Sequence, residues 1–216
     1  MIVIPLEVGP LATNAYLLGG ENSPEGAVID PGDDGERLVQ RCRSEGIEPL
    51  YIIDTHSHWD HIGGNAVLKS AFPRAELCIG ADDADALTDP IRNLAGWLGV
   101  AAQTPPADVL LREGHHLRFG STVLSVLDTP GHTPGGISLL CEGTRPAQMF
   151  CGDLVFRRAV GRVDFPGGSE EQLLTSIRQK VLTLPDDTIL WPGHGPRTTV
   201  GEERRENPFF GVLAGG

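Results

Sequence analysis

Three histidines and two aspartates fall within eight consecutive positions, Asp54-Thr55-His56-Ser57-His58-Trp59-Asp60-His61, and two glycines follow at 63 and 64. Imidazole nitrogens and carboxylate oxygens, with no thiolate among them, form a donor set suited to zinc, iron or manganese. In an extended segment alternate side chains share a face, so His56 and His58 come side by side. A turn after them carries Asp60 and His61 to a second point nearby. A single histidine at such a place is usually a surface residue. The spacing H-x-H-x-D-H at the end of an apolar run is far more specific than that.

Further donors recur in the same kind of place. Five of the seven histidines lie in three turns, each after an apolar run. His132 sits in Pro130-Gly131-His132-Thr133-Pro134 after residues 123–127, and His194 in Pro192-Gly193-His194-Gly195 after 189–191. Asp153 likewise closes the run ending Cys151-Gly152. Glycines beside these donors let the backbone turn sharply and approach an ion. Together they supply the six or seven nitrogen and oxygen ligands of a two-metal site. A structural zinc site is normally closed, four-coordinate and thiolate-rich, which disfavours a non-catalytic role. His115 and His116, beside Gly114 between two β-type runs, are expected to face solvent.

The elements that position these turns follow from periodicity. Residues 49–53 read as an apolar strand before the first cluster, and 66–72 as a helix stopped by Pro73. A hairpin is expected over 1–19, a short buried strand over 26–29, and a helix from Asp34 or Gly35 to Gly46. Residues 75–79 suggest a strand and 82–87 a short helix; 91–100 is ambiguous, with Leu94 and Trp97 on its apolar side. β-type runs follow at 108–111, 117–119, 122–127, 137–141, 148–151 and 188–191. Ser169-Glu170-Glu171-Gln172 opens a helix reaching about Leu182, with Leu173, Leu174, Ile177 and Val181 on one face. Alternation of this kind gives an α/β class.

Composition narrows the function. The chain has 216 residues, 40% of them hydrophobic, and Gly and Pro make up about a fifth, below the level that signals disorder. A formal net charge of −12 repels a phosphate backbone, so nucleic acid is not an expected partner. Cys42, Cys78, Cys141 and Cys151 show no C-x-x-C spacing, and the N-terminus lacks a basic region followed by an apolar core. A cytoplasmic protein with reduced, buried thiols is expected. No apolar run approaches membrane-spanning length, so no membrane partner is expected.

Taken together, Asp30-Pro31-Gly32, T-H-S-H-W-D-H-I-G-G, G-H-T-P-G-G, G-D-L-V-F, G-R-V-D-F-P-G-G, P-G-H-G-P and N-P-F-F resemble the metallo-β-lactamase fold superfamily. More narrowly they resemble its short, glyoxalase II (hydroxyacylglutathione hydrolase)-like group, over about residues 14–210. The resemblance implies a four-layer αββα sandwich and one domain over 1–216, without the additional C-terminal helical domain of full-length glyoxalase II. It also implies two divalent cations, zinc first, with iron or manganese as alternatives. By position, His56, His58 and His132 hold the first, Asp60, His61 and His194 the second, and Asp153 bridges them. Asp30 steadies the ligand turn from outside. Asp60 also aims the attacking water. Trp59 and Arg162 fall near the cleft, Arg162 either paired with Asp164 or meeting a substrate carboxylate. Arg157-Arg158-Ala159 departs from the small residues common at that point of the group. The implied activity is hydrolysis of a small acyl thioester such as S-D-lactoylglutathione. A mono-iron persulfide dioxygenase and a lactone hydrolase are the alternatives on the same fold.

Overall fold

The computed structural model describes residues 1–100 and 104–213; the last three residues of the tail lie outside it. Two six-stranded sheets form the body. The first has the order β1 (Ile2–Val8), β2 (Thr13–Gly19), β3 (Glu25–Ile29), β4 (Glu48–Asp54), β5 (Glu76–Gly80) and β6 (Val109–Leu111). The second runs β14 (Thr198–Thr199), β13 (Ile189–Pro192), β10 (Gln148–Gly152), β9 (Ile137–Cys141), β8 (Thr122–Asp128) and β7 (His116–Phe119). A small hairpin, β11 (Val155–Phe156) and β12 (Ala159–Val160), follows β10.

The layering follows from the two-residue period of a strand. Tyr16, Leu18, Ile29, Ile53 and Cys78 point into the space between the sheets, where they meet Phe119, Val126, Leu139, Phe150 and Trp191. Their neighbours Ala15, Leu17, Val28, Ile52 and Leu77 point the other way, onto α1 (Gly35–Glu45), α2 (Trp59–Ile62) and α3 (Asn65–Ala71). On the second sheet Leu140, Met149, Cys151 and Leu190 turn outward onto α4 (Glu170–Ser176) and onto Phe210 of α6 (Pro208–Leu213). Strands apolar on both faces need a cover on each side, and the result is αββα.

Most expected elements are present within a residue or two. The helix expected to reach Leu182 is α-helical to Ser176 and closes in a wider π-turn over Ile177–Val181, still burying Leu173, Ile177 and Val181. The ambiguous stretch 91–100 is a chain of turns with one 3₁₀ segment, Ala95–Leu98. All four cysteines are buried and unpaired.

Strand direction sets the function-bearing edge. β3, β4 and β5 are parallel in the first sheet. In the second, β8 and β10 each pair antiparallel with β9, and β13 is parallel to β10, so β8, β10 and β13 share a direction. The C-terminal ends of these strands in both sheets carry Asp30, the histidine cluster, His132, Asp153 and His194.

Candidate active site

All seven predicted donors converge on one point between the sheet edges. The donor atoms of His56, His58 and His132 lie within 4.8 Å of one another, and so do those of Asp60, His61 and His194. Asp153 lies between the two triads: its Oδ1 is 3.4 Å from His61 Nε2 and its Oδ2 3.5 Å from His132 Nε2. His58 Nδ1 faces His132 Nε2 at 2.9 Å, while Asp60 Oδ2 is 3.1 Å from His194 Nε2 and 3.4 Å from His61 Nε2. His58 is extended (φ −65, ψ 142), which keeps it beside His56; their rings lie 4.8 Å apart. The turn into α2 then brings Asp60 and His61 round. Gly193 is required here, because a Cβ on it would lie 2.2 Å from Asp153 Oδ1.

The far nitrogen of four imidazoles lies beside an acceptor. His132 Nδ1–H donates to the Arg162 carbonyl at 2.7 Å, and His194 Nδ1–H to the Leu11 carbonyl at 3.1 Å. His61 Nδ1 is 3.0 Å from Asp30 Oδ2. Asp30 also accepts from the Thr55 backbone N–H (2.7 Å) and from Thr55 Oγ1 (2.8 Å). With its proton committed to Asp30, the Thr55 hydroxyl accepts from His56 Nδ1 at 3.2 Å. Buried, 1% exposed, Asp30 thus orients one imidazole in each triad, directing both Nε2 atoms toward the centre.

Charge at the site is arranged for a cation. Burial pushes His58 down to about 3, with His132 and His61 adding to the effect. Burial and the surrounding histidines also hold His56 well below its ordinary value. Both rings are therefore neutral and ready to ligate. Burial also opposes charge on His61, but Asp60, Asp153 and Asp30 outweigh it and raise that ring to about 10. Burial works against ionisation of Asp60 too, yet His61, His194 and Thr13 hold it well below the usual carboxylate range. His56 Nε2, His61 Nε2 and Asp153 Oδ1 are buried with no hydrogen-bond partner. Unpartnered buried nitrogens and oxygens of this kind fit a pair of divalent cations, with His61 exchanging its proton for the ion.

Five of the donors, His58, Asp60, His132, Asp153 and His194, line a cleft of about 450 Å³, with His56 and His61 buried behind them. Its walls are largely apolar: Leu11, Trp97, Leu98, Phe156, Val160 and Phe165. Trp59 lines the cleft with one face and packs on the outer core of the first sheet with the other. Arg162 is at the rim, engaged by both carboxylate oxygens of Asp164 at 2.6 Å and lying over the Phe165 ring at 4.0 Å. Arg158 turns away from the cleft: its backbone N–H donates to buried Glu203 and its guanidinium pairs with Glu206. His115 and His116 are exposed, as expected.

Several supporting residues escaped the sequence reading. Buried Asp83 accepts from Ser57 N–H at 3.0 Å and Gly135 N–H at 2.7 Å, tying the first ligand turn to the loop that carries His132. Thr13 Oγ1 donates to Asp60 Oδ2 at 2.9 Å. Asn14 Nδ2 donates to the carbonyls of Pro192 (3.0 Å) and Gly195 (2.7 Å), on either side of His194.

Comparison with known proteins agrees with this architecture. The family model described as the metallo-beta-lactamase superfamily matches residues 8–194. The hydroxyacylglutathione hydrolase GloC of Haemophilus influenzae is 37% identical over 197 residues, 88% of this chain and 89% of that one. Among solved structures, the B3 metallo-beta-lactamase BLEG-1 superposes with a TM-score of 0.90 at 37% identity, over 97% of this chain and 99% of that one. TTHA1623, solved in a di-iron-bound form, superposes with a TM-score of 0.84 at 38% identity, over 96% and 100%.

Proposed function

Since the chain belongs to the metallo-β-lactamase superfamily, we propose that it is a dinuclear-metal hydrolase cleaving a small acyl thioester. The observation that carries this reading is the convergence of five imidazoles and two carboxylates at the foot of an apolar cleft. In it, His56, His58 and His132 would hold one cation and Asp60, His61 and His194 the other, with Asp153 available to either. Zinc is the first expectation, with iron or manganese as alternatives. A bound pair of divalent ions would supply Lewis acidity and bring the pKa of a water toward about 7.

The side chains do the rest. Asp60, fixed through Oδ2 by Thr13 and His194, accepts a hydrogen bond from the attacking water and aims it at the acyl carbon. The apolar walls keep bulk water away from the carbonyl. The C–S bond breaks and the thiol departs as thiolate, its pKa of about 8.5 making a proton donor unnecessary. Among the described residues, the lining outside the donor set holds no Lys, Tyr, Ser or Cys to protonate a poorer leaving group such as an amide nitrogen. That chemistry favours thioester over amide. The donors come from both sheets, so one domain carries the whole centre, and four buried unpaired thiols suit a reducing cytoplasm.

Metal-loaded protein should release thiol from short acyl thioesters with kcat/KM above about 10⁴ M⁻¹s⁻¹. Two bound metals with no thiol release from any thioester would end the proposal. Opening of lactones by the same protein would move it to the lactone reading. One iron per chain with oxygen uptake on a persulfide would move it to a dioxygenase.

A further inference from the structure

The walls of the cleft speak to what flanks the scissile bond. Leu11, Trp97 and Leu98 are 50%, 63% and 53% exposed, and these three of the large exposed apolar side chains all border this cleft. Phe156, Val160 and Phe165 continue the apolar surface down to the donors, with Trp97 meeting the Phe165 ring edge-on at 6.3 Å. Such side chains are held in water at a functional mouth when a ligand covers them.

The charges point the same way. Apart from the donor histidines, Arg162 is the one cationic side chain of the lining among the described residues. Asp164 already engages it with two parallel hydrogen bonds, so an incoming carboxylate meets a neutralised guanidinium. The whole chain carries a formal net charge of −12. Glutathione brings two carboxylates, and among the described residues the lining offers neither of them an unpaired Lys or Arg. Desolvating an unpaired carboxylate is costly, whereas laying a hydrocarbon on these walls is favourable.

Resting on the thioesterase reading above, we propose that the substrate is an uncharged thioester with an apolar acyl group, and that Trp97 sets this preference while the Arg162–Asp164 pair excludes anionic thiols. The test is a series of S-acyl N-acetylcysteamines (acetyl, butanoyl, hexanoyl) beside S-D-lactoylglutathione, assayed with metal-loaded protein. Burial worth about 0.8 kcal/mol per methylene, discounted for an open cleft, gives a two- to fourfold rise in kcat/KM per added methylene. Lactoylglutathione should lie well below the butanoyl ester. In Trp97→Ala the chain-length slope should flatten. Asp164→Asn should raise the ratio of lactoylglutathione to butanoyl-ester kcat/KM about two- to fivefold, the range of an exposed ion pair. A flat acyl series, or lactoylglutathione preferred over the hexanoyl ester, would overturn this inference and leave the thioesterase reading standing. No turnover of any thioester would remove both.

Discussion

Replacing Asp30 by Asn tests the logic of the centre without touching a donor. The carboxylate accepts from Thr55 N–H at 2.7 Å and Thr55 O–H at 2.8 Å, and its Oδ2 lies 3.0 Å from His61 Nδ1. Asn retains one acceptor oxygen, which stays with the Thr55 amide. Its NH2 then faces two groups that were themselves donors. The Thr55 hydroxyl must turn to accept, handing its proton to His56 Nδ1, and His61 must shift its proton to Nε2. In both rings the nitrogen that should ligate becomes protonated. Losing such an outer partner lowers metal affinity about 10- to 100-fold, and here it is expected at both subsites. Backbone strain does not confuse the result: Asp30 has φ +47, a conformation Asn also tolerates. The assay is metal titration against a competing chelator, with circular dichroism and the metal-free melting temperature confirming the fold. A folded Asn variant that binds both ions within about threefold of the parent would refute the tautomer argument.

Other outcomes follow from the same coordinates. Asp60→Ala should cut kcat by about 10²–10⁴ while the His56–His58–His132 triad keeps its ion; turnover within tenfold of the parent would remove Asp60 from its aiming role. Gly152 has φ +47 and a Cβ there would lie 2.3 Å from Thr55 Oγ1, so Gly152→Ala should cost about 2–4 kcal/mol in denaturant unfolding and weaken metal binding with it. For metal-free protein the pH profile has a fixed sign. His58, lowered from 6.5 to about 3, contributes stability present above 6.5 and lost as pH falls toward 3. His61, raised from 6.5 to about 10, contributes stability present below 6.5 and lost as pH rises toward 10. The denaturation midpoint of chelated protein should therefore peak near neutrality, and a midpoint that climbs steadily to pH 10 would contradict the balance described for His61.

What could be read in advance was what is written locally. His56, His58, Asp60 and His61 lie within six residues, and strand alternation plus one turn suffices to group them. The α/β class was legible in the alternation of strands and helices, whereas the four layers came with the resemblance; burial of β2 and β9 on both faces is the structural reason for a cover on each side. Asp83 was not legible: its partners Ser57 and Gly135 are 26 and 52 positions away, and nothing local marks it out from Asp82 and Asp85 beside it. Thr13 and Asn14 are hidden for the same reason, their partners lying 47 to 181 positions away. The β11–β12 hairpin has two residues per strand, too few for any period to register. α5 (Val200–Glu206) lacks an apolar repeat, yet Thr199-x-x-Glu202 is a helix-opening pattern, and Thr199 Oγ1 does accept from Glu202 N–H at 3.2 Å. Asp30 was recognisable only by resemblance, since its role depends on Thr55 and His61 folding over it.

The split origin of the donors has a kinetic corollary. Four come from the first half of the chain and three from the second, and the halves meet at this edge through Asn14 N–H to Gly193 O (2.7 Å) and Ile137 N–H to Thr55 O (2.9 Å). An ion seated there is a rivet through two plates: neither plate can swing free until the rivet is drawn. Amide exchange in β2, β9 and β13 should then slow together on loading, by a common factor fixed by ion concentration over dissociation constant. Strands remote from the rivet would gain the same protection, because in a sandwich joined at one rim the plates part as a whole.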